Sequence, residues 1–331
     1  MRAWQIDRYK APLHLADVPE PTLGPRDVLV EVHAAGLNVA DVKVRDGEFK
    51  AFLPAEMPLV LGSDLAGVVT AVGSAVTRFA AGDEVYGSPS PGRTGTLAEQ
   101  VAVAEDALAR KPASLSMTEA ASLPLVALTA WQVLVERAGV RPGQRVLVHA
   151  GSGGLGSIAV QLAKHLGATV ATTTGTSNVE WVRSLGADLV VDHRTQDFAE
   201  LVHDYDVVLD SLGGEAQRKS LGVLRPGGQV VGVTGPPDHA FAVQLGLNPL
   251  LRLVMRVLAA GVNRRAKELG VRYSFLFMRC SGAQLEQIAA LVDSGELRPV
   301  IDRVYPFAET PEAFAHLESG RSKGKVVVSL R

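Results

Sequence analysis

In the first third of the chain, the hydrophobic and polar positions form short runs with the spacing of β-strands. Residues 28–33 alternate apolar and polar side chains, as a half-buried strand does. Residues 65–72 and 97–103 are further strand candidates, and 82–87 is a turn followed by a short strand. Glycine and proline residues separate these runs, a pattern that predicts a compact β-barrel with long loops.

The periodicity becomes helical near residue 114. Ser116-Met-Thr-Glu119 has the spacing of a capping box in front of an apolar helical run. Pro124 divides that run, and Gly139 follows the second half. Two consecutive helices are therefore predicted before the chain reaches residue 141.

From residue 141 onward, predicted strands and helices alternate. The candidate strands are 145–149, 168–173, 189–192, 206–210 and 229–234. Strands separated by helices of this length form a parallel, doubly wound sheet. The segment 241–262 is largely apolar but polar residues interrupt it, so it predicts an amphipathic helical segment, with contact to a membrane surface as the alternative.

The last part of the chain does not fit a simple nucleotide-binding fold. It has a β-rich run at 272–278, a helical pattern at 284–294 and a strand at 325–330. We expect these elements to return and complete the N-terminal domain. The predicted fold class is α/β, with a catalytic domain at 1–124, a dinucleotide-binding domain at 125–262 and a returning segment at 263–331.

Composition narrows the class of protein. A chain of 331 residues suits two domains of roughly 150 residues each. The formal net charge of −2 gives no support to nucleic-acid binding. Cys280 is the only cysteine, which excludes an internal disulfide, and the N-terminus lacks the apolar core of a signal peptide. These features predict a cytoplasmic protein with no integral membrane segment.

The segment from 146 to 156 carries the strongest motif. It reads Val-Leu-Val-His-Ala-Gly151-Ser-Gly153-Gly-Leu-Gly156, which fits G-x-G-x-x-G between a predicted strand and a predicted helix. The first glycine permits the tight turn, the second lets the backbone approach a pyrophosphate, and the third allows close packing of the helix. The phosphates then meet the unpaired amides of the helix start. The motif predicts dinucleotide binding.

The end of the next strand indicates which dinucleotide binds. An NAD site usually places an acid there for the ribose 2′-hydroxyl. This chain has Thr172-Thr-Thr-Gly-Thr-Ser-Asn178, with no acid, and Arg183, His193 and Arg194 could supply positive charge. The sequence therefore favours NADP over NAD, which remains the alternative.

Several segments together resemble the medium-chain dehydrogenases, and more closely their quinone oxidoreductase branch with its enone and alkenal reductases. The resemblance covers nearly the whole chain and rests on the glycine loop and on 35–43, 60–68, 82–87, 124–130, 185–188 and 224–228. It implies a GroES-like β-barrel catalytic domain beside a Rossmann domain. It also implies a homodimer, for which 273–278 is a suitable edge strand.

The resemblance also indicates which chemistry is missing. The zinc alcohol dehydrogenases of the superfamily carry a cysteine where this chain has Asn38, and a His-Glu pair where it has Ser63-Asp64. Catalytic zinc needs three protein ligands around an open position, so no metal is expected. Without this Lewis acid, hydride addition to a conjugated acceptor is easier than alcohol oxidation, because charge spreads onto a distant oxygen.

The resemblance implies roles for individual residues. Asn38 would face the nicotinamide or the substrate, Lys43 would steady an enolate or quinol oxygen, and Asp41 would orient Lys43; a surface ion pair is the alternative for the last two. Phe275 and Phe277 would wall the substrate cleft or pack in an edge-strand core. Lys325 would reach the cofactor phosphates or lie on the surface. The predicted cofactor-binding residues are Asn38, Thr129, Gly151, Ser152, Gly153, Gly154, Leu155, Gly156, Thr173, Thr174, Ser177, His193, Leu212, Thr234, Gly235 and Lys325.

The branch commonly binds the 2′-phosphate with Ser, Lys and Tyr, and the matching positions here are Gly175, Ser177 and His193. This departure weakens the expected grip on NADPH. The function predicted is an NADPH-dependent reductase of quinones or α,β-unsaturated carbonyl compounds that acts by hydride transfer without zinc. A non-catalytic NADPH-binding sensor or scaffold is the alternative. A reductase of enoyl thioesters is a further one, with Arg252, Arg256, Arg264, Arg265 and Lys267 at a basic entry.

Overall fold

The structure is a computed structural model that describes residues 1–90, 93 and 95–331. It divides into two compact units. The first contains Met1–Leu128 and Arg279–Arg331, and the second contains Thr129–Met278. The returning segment therefore begins at residue 279, and the predicted start at 263 is corrected.

The N-terminal part of the first unit consists mainly of strands. Its elements are β1 (Arg2–Ile6), β2 (His14–Asp17), β3 (Asp27–Leu37), α1 (Val39–Arg45), β4 (Leu59–Val60), β5 (Leu65–Val72), β6 (Glu84–Gly87), β7 (Gln100–Ala104), β8 (Leu108–Arg110), α2 (Met117–Ala121) and α3 (Pro124–Trp131). The predicted capping box is confirmed, since the backbone amide of Ser116 donates to Glu119 Oε2 at 2.9 Å and the Ser116 hydroxyl accepts from the Glu119 amide. Helix α3 begins at Pro124, as predicted, and ends in the second unit.

The second unit alternates strands and helices. After a π-helical turn at Gln132–Arg137 it contains β9 (Arg145–Val148), α4 (Gly154–His165), β10 (Thr169–Thr174), α5 (Val179–Arg183), β11 (Leu189–Asp192), α6 (Phe198–Leu201), β12 (Tyr205–Asp210), α7 (Gly214–Gly222), β13 (Leu224–Gly232), α8 (His239–Gln244), α9 (Pro249–Leu258), α10 (Ala260–Glu268) and β14 (Arg272–Phe275). The segment predicted as amphipathic and helical, 241–262, thus contains all of α9, most of α8 and the first three residues of α10.

The chain then returns to the first unit. The returning elements are α11 (Gly282–Asp293), β15 (Ile301–Pro306), α12 (Thr310–Glu318) and β16 (Lys325–Ser329). Strand β16 lies between β15 and β3, and the described sheet has the order β15-β16-β3-β5-β6-β8, with β7 also paired to β3. A smaller sheet has the order β2-β1-β4. Strand β16 runs antiparallel to β3 with Val326 opposite Leu37, which brings Lys325 beside Asn38.

The second unit has a six-stranded parallel sheet of order β11-β10-β9-β12-β13-β14. The predicted doubly wound sheet is confirmed, and its strand order is that of a Rossmann fold. Its central strands are apolar and buried, because helices cover both faces of a parallel sheet. Strand β14 pairs with β13, with Tyr273 opposite Val230. This pairing is the reason that residues 263–278 belong to the nucleotide-binding unit.

The hydrophobic core of the first unit includes residues of β3 and β16, the strands whose ends carry the buried polar residues described below. One cluster joins Trp4, Leu37, Phe314 and Val326 from β1, β3, α12 and β16. The Trp4 indole donates to the Phe307 carbonyl at 2.8 Å, which satisfies its only polar group. The packing fixes the ends of β3 and β16, where the polar residues described below begin.

Candidate active site

The glycine loop joins β9 to α4 at the carboxyl edge of the parallel sheet. A Cβ on Gly151 would lie 2.2 Å from Thr172 Oγ1, and one on Gly156 would lie 2.1 Å from the carbonyl oxygen of Ala150. A Cβ on Gly153 meets only Ala150 O, at 3.4 Å. Two of the three glycines are thus closed in by protein, while the middle one leaves room on the side where a pyrophosphate would approach.

The threonines at the end of β10 hold this loop. Thr173 Oγ1 accepts a hydrogen bond from the Ala150 amide at 3.1 Å and lies 3.1 Å from His149 Nδ1. Thr172 Oγ1 donates to the Val148 carbonyl at 2.7 Å. Thr174 Oγ1 is buried and has no partner within the part of the chain that the structure describes. Thr173 therefore serves the loop itself, whereas Thr174 carries a buried hydroxyl that no described residue satisfies.

Two basic side chains lie beside the loop that follows β10. A Cβ on Gly175 would lie 3.5 Å from Arg194 Nε and 3.7 Å from His193 Nε2. Ser177 belongs to the adjoining 3-10 turn at Thr176–Asn178. This is the end of the strand at which a Rossmann fold distinguishes a 2′-phosphate from a 2′-hydroxyl.

The structure also brings an acid to this place, which the sequence analysis missed. Asp192 ends β11 and is paired in register with Thr174 of β10. Hydrogen bonds from the Thr176 hydroxyl and the Arg194 amide, together with the charge of His193, hold the pKa of Asp192 below its usual value. A sequence pattern at the end of β10 does not contain this acid, because Asp192 comes from the neighbouring strand β11.

The loops after β12 and β13 lie next to each other. A Cβ on Gly213 would lie 3.4 Å from Thr234 Cγ2, and Gly235 adopts a φ of +111° close to Gln217. Leu212 is half exposed, and Asp210 Oδ1 accepts from its amide at 3.0 Å. Leu212, Thr234 and Gly235 therefore lie just after the carboxyl ends of the neighbouring strands β12 and β13. Their role beside a nicotinamide stays a prediction.

The two phenylalanines predicted at the substrate cleft pack against Phe241. The Phe275 ring is 5.2 Å from it and the Phe277 ring 5.5 Å, measured between centroids. Phe275 is buried at the end of β14, and Phe277 is partly exposed. Core packing, the alternative given above, accounts for Phe275. Thr129 is buried within α3.

A buried polar cluster lies where β3 and β16 meet. Lys325 Nζ donates to Asn38 Oδ1 at 2.5 Å and to Asp64 Oδ2 at 3.0 Å. Asn38 Nδ2 donates to Asp64 Oδ2 at 2.9 Å, and the Leu125 amide donates to Asp64 Oδ1 at 2.8 Å. The Asp64 side chain is fully buried and that of Lys325 is 5% exposed. Burial raises the pKa of the Asp64 carboxyl, and the Lys325 charge opposes that rise.

Asp41 extends the cluster on the other side. Ser63 Oγ donates to Asp41 Oδ1 at 2.5 Å, and the Asn38 amide donates to Asp41 Oδ2 at 2.8 Å. Burial raises the pKa of Asp41 to about 6, although the Ser63 hydrogen bond lowers it. Two carboxyl groups, one amide and one ammonium group thus share a water-poor volume, in which each charge depends on its partners.

Two expectations about the lysines are corrected. Asp41 does not orient Lys43, because it bonds to Ser63 and Asn38, while Lys43 Nζ lies 3.9 Å from Glu48 Oε2. Lys325 is not a surface residue, because its ammonium group is buried against Asn38 and Asp64.

The cluster does not suit zinc. The family resemblance matches Asn38 and Ser63-Asp64 to the Cys and His-Glu positions of the zinc dehydrogenases, and here the Lys325 ammonium group bridges Asn38 and Asp64. An amide and a carboxylate already bonded to a cation are a poor donor set for Zn²⁺. Across residues 1–90, 93 and 95–331, no three His, Cys, Asp or Glu side chains are grouped to hold a metal.

Comparison with known proteins agrees with this architecture. Residues 24–113 match the family "Alcohol dehydrogenase GroES-like domain", and residues 185–328 match the family "Zinc-binding dehydrogenase". The mitochondrial NAD(P)H oxidoreductase RTN4IP1 of Danio rerio is 36% identical over 100% of this chain and 91% of that protein. The chloroplastic NADPH-dependent alkenal/one oxidoreductase of Arabidopsis thaliana is 37% identical over 99% of this chain and 79% of that protein.

Comparison with solved structures supports the same family assignment. The quinone oxidoreductase from Coxiella burnetii has a TM-score of 0.86 and 32% identity, covering 100% of this chain and 99% of that chain. A GroES-like domain joined to a Rossmann domain with a glycine-rich loop defines a medium-chain dehydrogenase/reductase. The chain belongs to that superfamily, in its quinone oxidoreductase and alkenal/one reductase branch. It is an NAD(P)H-dependent oxidoreductase.

Proposed function

We propose that the protein is an NADPH-dependent reductase of quinones or α,β-unsaturated carbonyl compounds that transfers hydride without zinc. The observation that carries this proposal is the buried Lys325 ammonium group, which bonds to Asn38 and Asp64. By the family resemblance, Asn38 matches a zinc-ligand cysteine and Ser63-Asp64 matches a His-Glu pair in the zinc relatives. A site that lacks the Lewis acid is poorly suited to binding an alkoxide. It is better suited to an acceptor whose charge moves to a distant oxygen.

Different residues would bind the cofactor and interact with the substrate. The nicotinamide supplies the hydride when it is bound, and the glycine loop from Gly151 to Gly156 holds the pyrophosphate. Lys43, whose side chain is 28% exposed and whose Nζ lies 3.9 Å from Glu48 Oε2, would donate a hydrogen bond to the enolate or quinol oxygen and can pass it a proton. Asn38 is a residue that would help to hold the nicotinamide. Lys325 and Asp64 fix its side chain and so its orientation.

The preference for NADPH rests on the groups around Gly175. Arg194 and His193 lie beside Gly175, where the 2′-phosphate would bind, and each can donate a hydrogen bond to it. The neighbouring Asp192 carboxylate would suit the 2′-hydroxyl of NADH, but it already accepts from the Arg194 amide at 3.0 Å. Arg-phosphate hydrogen bonds are among the strongest in proteins. The alkenal/one relative described above is itself named as NADPH-dependent.

Initial rates of NADPH and NADH oxidation with a panel of quinones and short enones test this function. We expect turnover that is faster with NADPH. Lys43→Ala should lower kcat by about 100-fold, as expected for loss of one transition-state donor, while Lys50→Ala, a matched change at an exposed lysine on the same segment, should have no effect. NADPH binding without turnover of any acceptor would instead support the non-catalytic sensor.

We also propose a homodimer formed through the outer edge of β14. Among the described residues this strand ends the six-stranded sheet, and such an edge can pair with a second copy, although its Phe275 amide already donates to Asp238 Oδ2 at 3.0 Å. Sedimentation at micromolar concentration should show a dimer, and a monomer would refute it.

Within the described residues no helix is long and apolar enough to cross a membrane. The relatives named above are mitochondrial and chloroplastic, so a cytoplasmic location stays a prediction.

A further inference from the structure

The helix α9 presents its apolar side to solvent. Its exposed large apolar residues are Leu250, Leu253, Val254, Val257 and Leu258, with exposures from 43% to 70%. These positions follow the spacing i, i+3, i+4, i+7, i+8, so they form one continuous stripe along the helix. We name these five residues the α9 stripe. A surface helix normally turns such a stripe toward the core.

The helix is well formed in spite of this exposure. Asn248 caps its start by accepting from the Leu251 amide at 3.0 Å, and Pro249 occupies the first turn. Met255 is buried on the opposite side, and Arg252 Nε donates to the Leu247 carbonyl at 2.6 Å. The protein therefore holds the helix with its apolar stripe outward.

The segment that carries the α9 stripe and continues through α10 is basic. From residue 249 to residue 268 there are five basic residues and one acidic residue, although the whole chain has a net charge of −2. The basic residues are Arg252, Arg256, Arg264, Arg265 and Lys267. Arg264 and Arg265 share Glu268 at 3.2 Å each, with their side chains 85% and 56% exposed, so one carboxylate is divided between two guanidinium groups.

We infer that α9 and α10 dock on an anionic membrane surface. An exposed apolar stripe flanked by arginine and lysine is the pattern of a helix that lies in the bilayer interface, with apolar residues among the acyl chains and cations near the phosphates. The charge favours this occupant over a second copy of the chain. A two-fold interface through the same patch would bring five basic residues against five others. The inference does not depend on the proposed reductase function.

The test measures co-flotation of the full chain with vesicles of phosphatidylcholine, with and without phosphatidylglycerol. We expect binding to the anionic vesicles only, and loss of most of it at about 0.5 M salt. Leu253→Glu combined with Val257→Glu should weaken binding by at least about tenfold. Arg264→Gln should weaken it by roughly fivefold. Far-UV circular dichroism and NADPH binding of each variant check that it is folded.

A matched control places the same charges elsewhere. Leu15→Glu combined with Leu201→Glu changes two leucines that are 41% and 44% exposed outside the α9 stripe, and should bind like the wild type. The inference is overturned if the wild type does not bind anionic vesicles at low salt, or if the Leu253/Val257 variant binds as well as the control. It is also overturned if the wild type does not bind vesicles and the Leu253/Val257 variant differs from it only in sedimentation. That result would show that the α9 stripe contacts a second copy of the chain.

Discussion

Removing the positive charge of Lys325 should destabilise the protein far more than removing the charge of a lysine at the surface. In Lys325→Met the Asp64 carboxylate remains fully buried and, among the described residues, keeps two donors, the Asn38 amide at 2.9 Å and the Leu125 backbone at 2.8 Å. Leaving one member of a buried pair without its partner costs about 3–5 kcal/mol. The cost comes from the uncompensated charge, so it should depend on whether Asp64 is ionised.

The pH dependence follows from the direction of the pKa. Burial already raises the pKa of Asp64, and loss of Lys325 removes a charge that lowers it, so the pKa rises further. A carboxyl group whose pKa is raised on folding contributes stability at low pH that is lost as the pH rises. The penalty of Lys325→Met should therefore be large at pH 8 and shrink as the solution is acidified. Adding Asp64→Asn should recover much of it.

Urea unfolding at pH 8 and at pH 5.5, followed by far-UV circular dichroism, measures this penalty. The matched control is Lys164→Met, which breaks the Lys164–Asp188 pair at 2.8 Å. That pair is 34% and 43% exposed, and its loss should cost less than about 1 kcal/mol. Equal losses for the two variants, or a Lys325→Met penalty that does not change with pH, would refute the reasoning.

Three further predictions concern the loop and the buried ionisable groups. Gly156→Ala places a Cβ 2.1 Å from a backbone carbonyl oxygen and should lower the free energy of unfolding by at least about 2 kcal/mol. It should also abolish NADPH binding, measured by titration. Gly222→Ala, whose Cβ would meet nothing within 4 Å, is the control and should be tolerated. The pKa of Asp41, raised from 3.8 to about 6, should make stability fall by about 3 kcal/mol as the pH rises through that range; Asp41→Asn should flatten the unfolding free energy there, and an unchanged slope would contradict this. Burial raises the pKa of Cys280 from 9.0 to about 11, so its native thiol should react with a disulfide reagent about 100-fold more slowly than in urea; equal rates would show that it is accessible.

The order of the elements was largely predictable from the sequence. Strands β5 and β11 have the predicted ends, because each is a short apolar run with turn residues beside it. Strand β13 begins at Leu224 rather than 229, through a pairing with Tyr205 that no local pattern indicates. The domain of β14 depends on which strand it pairs with, and hydrophobic periodicity does not contain that information.

The contacts of the site could be predicted only in part. Asp41 and Lys43 are two positions apart on α1, and residues at i and i+2 of a helix do not face each other, so one is buried while the other pairs at the surface. The Lys325–Asp64 bond joins residues 261 positions apart and depends on the register of β16 against β3. A lysine at the start of a strand gives no sign of such a partner.

The destination of the hydride tests the central claim most directly. The protein would be given NADPH carrying deuterium at the transferable position of the nicotinamide and a short enone, and the product would be analysed by mass spectrometry and NMR. The account predicts one deuterium on the β-carbon of the saturated ketone, whereas reduction of the carbonyl to an alcohol, or a product without deuterium, would contradict it.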